Sequence, residues 1–176
     1  MKVIYLAMEY DYGCPERGKS FEEANFYDSL KHMDLQIIRF DFMANYKKYG
    51  QEKMNLMLKE IVFDERPDLV FCVLFKDEID KSVMKEITEK SNAVTLNWFC
   101  DDHWRFANFS KYWAPCFTWV TTTDAKSLEK HTKIGLKNVI LTQWACNHFT
   151  YKKYDLAKRY DVFFVGQPHG SRKKSY

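Results

Sequence analysis

The sequence predicts an α/β protein: a doubly wound, Rossmann-like, mainly parallel six-stranded sheet with helices on both faces. Two observations predict it. Apolar runs of four to seven residues recur at 2–8, 35–40, 69–75, 93–99, 117–121 and 138–142. Several are continuous instead of alternating, as expected when both faces of a parallel strand are covered. Between them lie segments with helical spacing, which parallel neighbours require because no tight turn can join them and the crossover is right-handed.

The elements follow in order. Val3 to Met8 is the first strand, and Ser20-x-x-Glu23 reads as a capping box opening a helix whose apolar stripe is Phe26, Leu30 and Met33. Met54, Met57, Leu58, Ile61 and Val62 form the clearest helical stripe, stopped at Arg66-Pro67 because the residue before proline is pushed out of the helical region. Ile79, Val83, Met84 and Ile87 form another, and Asp124 with Gly135 start and stop a later helix. The run at 161–165 looks like a fresh strand, followed by a glycine-bearing basic loop. The expected organisation is therefore one domain over 1–155 and, over 156–176, a linker with the first strand of a second.

Composition narrows the function classes. Of 176 residues 46% are hydrophobic and 29% charged, which supplies a core and excludes disorder and low complexity. Lys+Arg 27 against Asp+Glu 24 gives a net charge of +3, too mild for a nucleic-acid partner or a membrane surface. No run is long enough to span a membrane. Five scattered cysteines without C-x-x-C indicate neither a disulfide framework nor a zinc ribbon, and predict a reducing, cytoplasmic setting. Aromatic residues reach 17%, a level often seen where rings also meet a ligand.

Ligands of open α/β sheets bind beyond the carboxyl ends of the strands, where the winding reverses. The commonest order, 3-2-1-4-5-6, sets strands one and four side by side there and singles out two loops. The loop after strand one holds Glu9, Tyr10, Asp11, Tyr12 and Gly13. It lacks both G-x-G-x-x-G and the G-x-x-x-x-G-K-[ST] phosphate loop, and its carboxylates and tyrosines suit a hydroxyl-rich ligand better than a phosphate. Glycines there permit close backbone approach. An alternative reading is a solvated surface loop.

The loop after strand four sets Asp101, Asp102 and His103 between Trp98 and Trp104, followed by Arg105. An imidazole, with an ordinary pKa of about 6.5, beside a carboxylate that fixes its tautomer is the arrangement of a general base. His103 is the candidate base, with Asp101 or Asp102 as partner. The competing reading has one of these carboxylates capping the next helix and His103 as a bystander. Asp101-x-His103 lacks a third and fourth ligand at recognisable spacing, so no metal is expected.

With these residues in view, the chain resembles the amino-terminal half of CgeB-like, spore-maturation-type glycosyltransferases. Four stretches carry the likeness: Tyr10-Asp11-Tyr12-Gly13, 96–106 with its Asp-Asp-His-Trp-Arg-Phe block, Gln143 to His148, and Tyr160 to Gly166. The resemblance implies a GT-B architecture of two Rossmann-like domains. The first would bind a hydroxyl-bearing acceptor (a sugar, glycan or protein) through Glu9 to Gly13, Trp104 and Arg105. The second would hold a nucleotide-sugar donor, without metal or tightly bound cofactor. Gly166, His169, Arg172 and Lys173 would lie where donor phosphates approach.

Because the chain stops at Tyr176, the donor domain is expected to be missing and the acceptor-binding half inactive alone. Self-association through exposed apolar surface is also expected. The alternative from another class is a non-catalytic, flavodoxin-like binding or regulatory domain.

Overall fold

The computed structural model describes residues 1–165. Six strands, β1 (Lys2–Leu6), β2 (Gln36–Phe40), β3 (Leu69–Cys72), β4 (Val94–Phe99), β5 (Trp119–Thr122) and β6 (Val139–Leu141), form one sheet. Every pairing is parallel. The Rossmann-like α/β class is as the apolar runs predict.

The strand order differs from the expected one. It is β2-β1-β3-β4-β5-β6, so β1 lies beside β3 and not β4. The first crossover, the helix over 21–30 that ends as α1 (Asp28–Leu30), covers one face, where Phe26, Tyr27 and Leu30 pack on Val3, Tyr5 and Phe71. The next crossover holds two packed helices, α2 (Phe42–Tyr49) and α3 (Gln51–Glu65), on the opposite face. Phe42, Met43, Met54, Leu58 and Val62 join Ile4, Leu6 and Val70 there, and this helix pair returns the chain across β1 to its free edge. The winding therefore reverses between β1 and β3.

Later crossovers stay on that second face. α4 (Lys81–Lys90) contributes Met84 and Ile87 to its core. The helix over 102–113 runs from α5 (Asp102–Arg105) to α6 (Lys111–Trp113) and contributes Phe109 and Trp113. α7 (Ala125–Lys133) follows β5, and its cap is as expected: Asp124 Oδ2 accepts from the Ser127 N–H at 2.9 Å. On the other face the cover thins towards the β6 edge, leaving Trp119 of β5 and Ile140 of β6 over 40% exposed.

Local signals differ in how far they extend. Ser20 Oγ accepts from the Glu23 N–H at 3.0 Å, the first half of a capping box. The Glu23 carboxylate does not complete it, because Arg39 Nη2 holds it at 3.0 Å. Met33 lies beyond the helix and is 56% exposed, since the helix ends at 30. Residues 161–165 form no strand: Val162, Phe163, Phe164 and Val165 are irregular and 77% to 89% exposed. A lone strand has no neighbour to take its backbone N–H and C=O groups.

Candidate functional site

Beyond the carboxyl ends of β1, β3 and β4 the chain builds a cavity of about 470 Å³ at the reversal. Three loops converge there, contributing Tyr12, then Phe75 and Asp77, then Asp101, Trp104 and Arg105. The two loops singled out from sequence thus reach one rim, with the β3 loop between them.

The β1 loop is folded on itself by short 3₁₀ turns over Asp11–Gly13 and Pro15–Arg17. Asp11 is paired with Arg17 at 2.8 Å. Tyr12 takes a left-handed φ of 51° and stands edge-on to Phe75 at 5.2 Å, about half exposed. Gly13, at φ +65°, is needed for packing against α2: a Cβ there would stand 2.3 Å from Met43 Cγ. Its close neighbour is thus protein. Tyr10 bridges back to Lys19, whose ammonium lies over the tyrosine ring at 4.8 Å.

Glu9 lies in a different group. Its carboxylate pairs with Lys19, and with Arg39 at 3.2 Å. The Lys19 hydrogen bond, helped by the Arg39 charge and opposed by partial burial, holds its carboxyl below the usual range. Glu9, Tyr10, Asp11 and Gly13 are therefore engaged within the protein, and Tyr12 is the residue of that loop that lines the cavity.

The loop after β4 divides its three ionisable groups. Asp102 turns inward, fully buried, with Oδ2 3.1 Å from Nε2 of the equally buried His131 of α7. The carboxylate–imidazole pair thus exists, but it joins Asp102 to His131, because α7 packs behind α5 on the core side. His103 is exposed, edge-on to Trp104 at 6.5 Å. Asp101 faces the cavity. Its side chain does not cap the helix, whose first turn is closed by its backbone carbonyl accepting from Arg105 N–H at 2.9 Å.

Arg105 ties the helix to the β3 loop, donating from Nη2 to the Phe75 carbonyl at 2.6 Å with its guanidinium 3.9 Å from the Phe109 ring centroid. Asp77 is fixed by Lys81 and by the Trp113 indole N–H at 2.9 Å. Partial burial pushes its carboxyl up, but these hydrogen bonds outweigh it and leave it below the ordinary range. Asp11, Asp77 and Asp102 each have a partner; among the described residues Asp101 is the carboxylate that lines the cavity outside any ion pair. Comparison with family models, curated proteins and solved structures returned no match.

Sequence reasoning missed the β3 loop because the assumed strand order placed β4 beside β1. The abrupt change from Leu74-Phe75 to Lys76-Asp77 at the end of an apolar run was the available signal. It also missed Glu22. Burial pushes that carboxyl above its ordinary range, and the charges of Asp11 and Asp101 add to the shift. Cys100, beyond β4, is pushed up to about 12, first by burial and then by the Glu22 charge. The helix that lines the cavity carries a π turn at Phe106–Ser110, a distortion frequent at functional sites; a second π turn, at Glu23–Tyr27, lies in the helix packed on the opposite face of the sheet.

Among the described residues no group of three or more His, Cys, Asp or Glu side chains is placed to hold a metal ion. None of their helices is long and apolar enough to cross a membrane. Gly166, His169, Arg172 and Lys173 lie outside the described residues.

Proposed function

We propose that this cavity binds the hydroxyl-bearing acceptor of a glycosyl transfer, as the acceptor-binding domain of a GT-B glycosyltransferase of the CgeB-like type. One observation carries the reading: the Asp101 carboxylate, unclaimed by the ion pairs around it, shares a cavity with the exposed rings of Tyr12 and Trp104. A sugar presents hydroxyl donors at its edge and C–H groups on its face. A carboxylate accepts from the first and an aromatic ring covers the second.

In the transfer, the acceptor oxygen bonds to the anomeric carbon of a nucleotide-sugar. The bond from that carbon to the diphosphate breaks, and the nucleotide leaves with the electron pair. The hydroxyl proton must pass to a base. With Asp102 held by His131, Asp101 is the group that would orient the hydroxyl, and His103, exposed beside Trp104 and outside the cavity's lining, is the proposed proton acceptor. A second Rossmann-like unit would hold the donor.

The test is an NMR titration of the 176-residue chain with methyl glycosides of common hexoses, reading the Trp104 indole N–H. A saturable shift is expected, weakened about tenfold or more in Asp101→Asn, because a hydrogen bond to a charged group is worth roughly 1.5–3 kcal/mol and 1.4 kcal/mol is a factor of ten. A Trp104 signal unmoved by every sugar would remove the reading. The strand order favours one other reading, a flavodoxin-like binding or regulatory domain, because the β2-β1-β3-β4-β5 succession is that fold's order. That reading predicts no response to sugars from a chain that stays monodisperse.

A further inference from the structure

After β6 the chain crosses back over the helix at 21–30, and between them lies a second cavity of about 430 Å³, in the size range of small-molecule sites. Its scaffold is fixed by Asn147, 2% exposed, whose N–H donates to Asn25 Oδ1 at 3.1 Å and whose Nδ2 donates to the Ala24 carbonyl at 2.9 Å. Asn147 Oδ1 accepts from the Phe149 N–H at 3.0 Å, and Asn25 Nδ2 donates to the Phe21 carbonyl at 3.1 Å. The amides of both asparagines thus serve the fold. Trp144 rests on Trp98 of β4 at 6.0 Å and meets Phe21 edge-on at 5.2 Å.

What remains for a ligand is ring surface, the Ala145 methyl, the Cys146 thiol and the Tyr151 hydroxyl. Among the described residues no charged side chain lines the cavity. Phe21, Trp144 and Tyr151 stay 43% to 58% exposed although they stand around one space. A charged ligand would lose hydration there without gaining a partner, whereas a flat neutral ring gains contact with every wall.

We propose that this cavity binds an uncharged, planar aromatic ring system, lying against the wall formed by Phe21 and Trp144 and bounded by Tyr151. The proposal rests on this cavity alone and stands whether or not the rim binds sugars.

Cys146, exposed in the wall, reports occupancy. The full chain is alkylated with iodoacetamide with and without 2-naphthol, and each thiol is followed by peptide mass spectrometry with Cys14, in the β1 loop, as control. Saturable slowing of alkylation by at least threefold is expected at Cys146 and not at Cys14. 2-Naphthoate should need at least tenfold higher concentration, because its carboxylate finds no partner. Phe21→Ala and Tyr151→Ala should each weaken the protection by at least threefold, read as the ratio of each variant's own Cys146 rates with and without 2-naphthol; two variants are used so that a folding defect in one does not decide the matter. The proposal is overturned if Cys146 is not protected up to the solubility limit, or if Cys14 is protected equally. It is also overturned if Cys146 becomes protected on raising protein concentration without naphthol, which would assign the cavity to a second copy of the chain.

Discussion

Asp102 and His103 are adjacent in sequence, yet one is fully buried and the other exposed, because the helix that starts at Asp102 points successive side chains about 100° apart. The carboxylate at the inward position meets His131, 29 residues on. Among the described residues Asp102 Oδ1 and His131 Nδ1 have no hydrogen-bond partner, so the Nε2–Oδ2 contact is the polar contact that joins the pair. Asp102→Ala and His131→Ala should each lower stability by about 1–3 kcal/mol, the cost of leaving a buried polar partner unsatisfied. In urea melts the double variant should lose less than the sum, since both partners are then gone. Additive losses would mean the two groups do not interact. Nothing in the local pattern around His131 signals its role, because the partner comes from another element. The opposite holds for Ser20 and Asp124, whose caps involve residues three positions away and are readable as such.

At the scale of elements, the helix over 21–30 brings Glu22 to the rim, where burial and the charges of Asp11 and Asp101 raise its pKa. A carboxyl whose folded pKa lies above its unfolded value binds protons more tightly when folded. Its contribution to stability is fully present below the ordinary value of 4.5 and is lost as pH rises through the raised pKa. Glu22→Gln removes that loss. The variant should gain stability over the parent as pH rises above about 4.5, with the difference levelling once Glu22 is ionised in the folded state. Thermal melts across this range check it, and a pH-independent difference would refute the assignment. Helix positions and apolar stripes were legible because burial imposes a period of 3.6 on them. The π turns were not, since the 3.6-residue period of the apolar stripes carries no mark of them.

At the scale of the molecule, the irregular stretch ending in Val162, Phe163, Phe164 and Val165 exposes a contiguous apolar surface, which in soluble proteins marks a surface that seeks a partner. The 176-residue chain is expected to self-associate with rising concentration in light scattering. The Phe163→Ser, Phe164→Ser double variant should shift it towards monomer. A parent chain that stays monomeric across that concentration range would show that this surface does not drive association.

The sequence by itself determined the class of fold, the positions of the six strands and of the helices around 21–30, 51–65, 81–90 and 125–133, and the facts that Tyr12, Asp101, Trp104 and Arg105 sit at strand ends. These follow from periodicity, capping and chain direction, which are local. Tertiary structure decided the lateral strand order, and with it the entry of the β3 loop between the two foreseen loops. It also decided that Asp102 serves the core while Asp101 faces the cavity. The reason is that lateral order and side-chain partnership depend on which surfaces of distant elements bury each other, and a run of apolar residues states that it will be buried without stating against what.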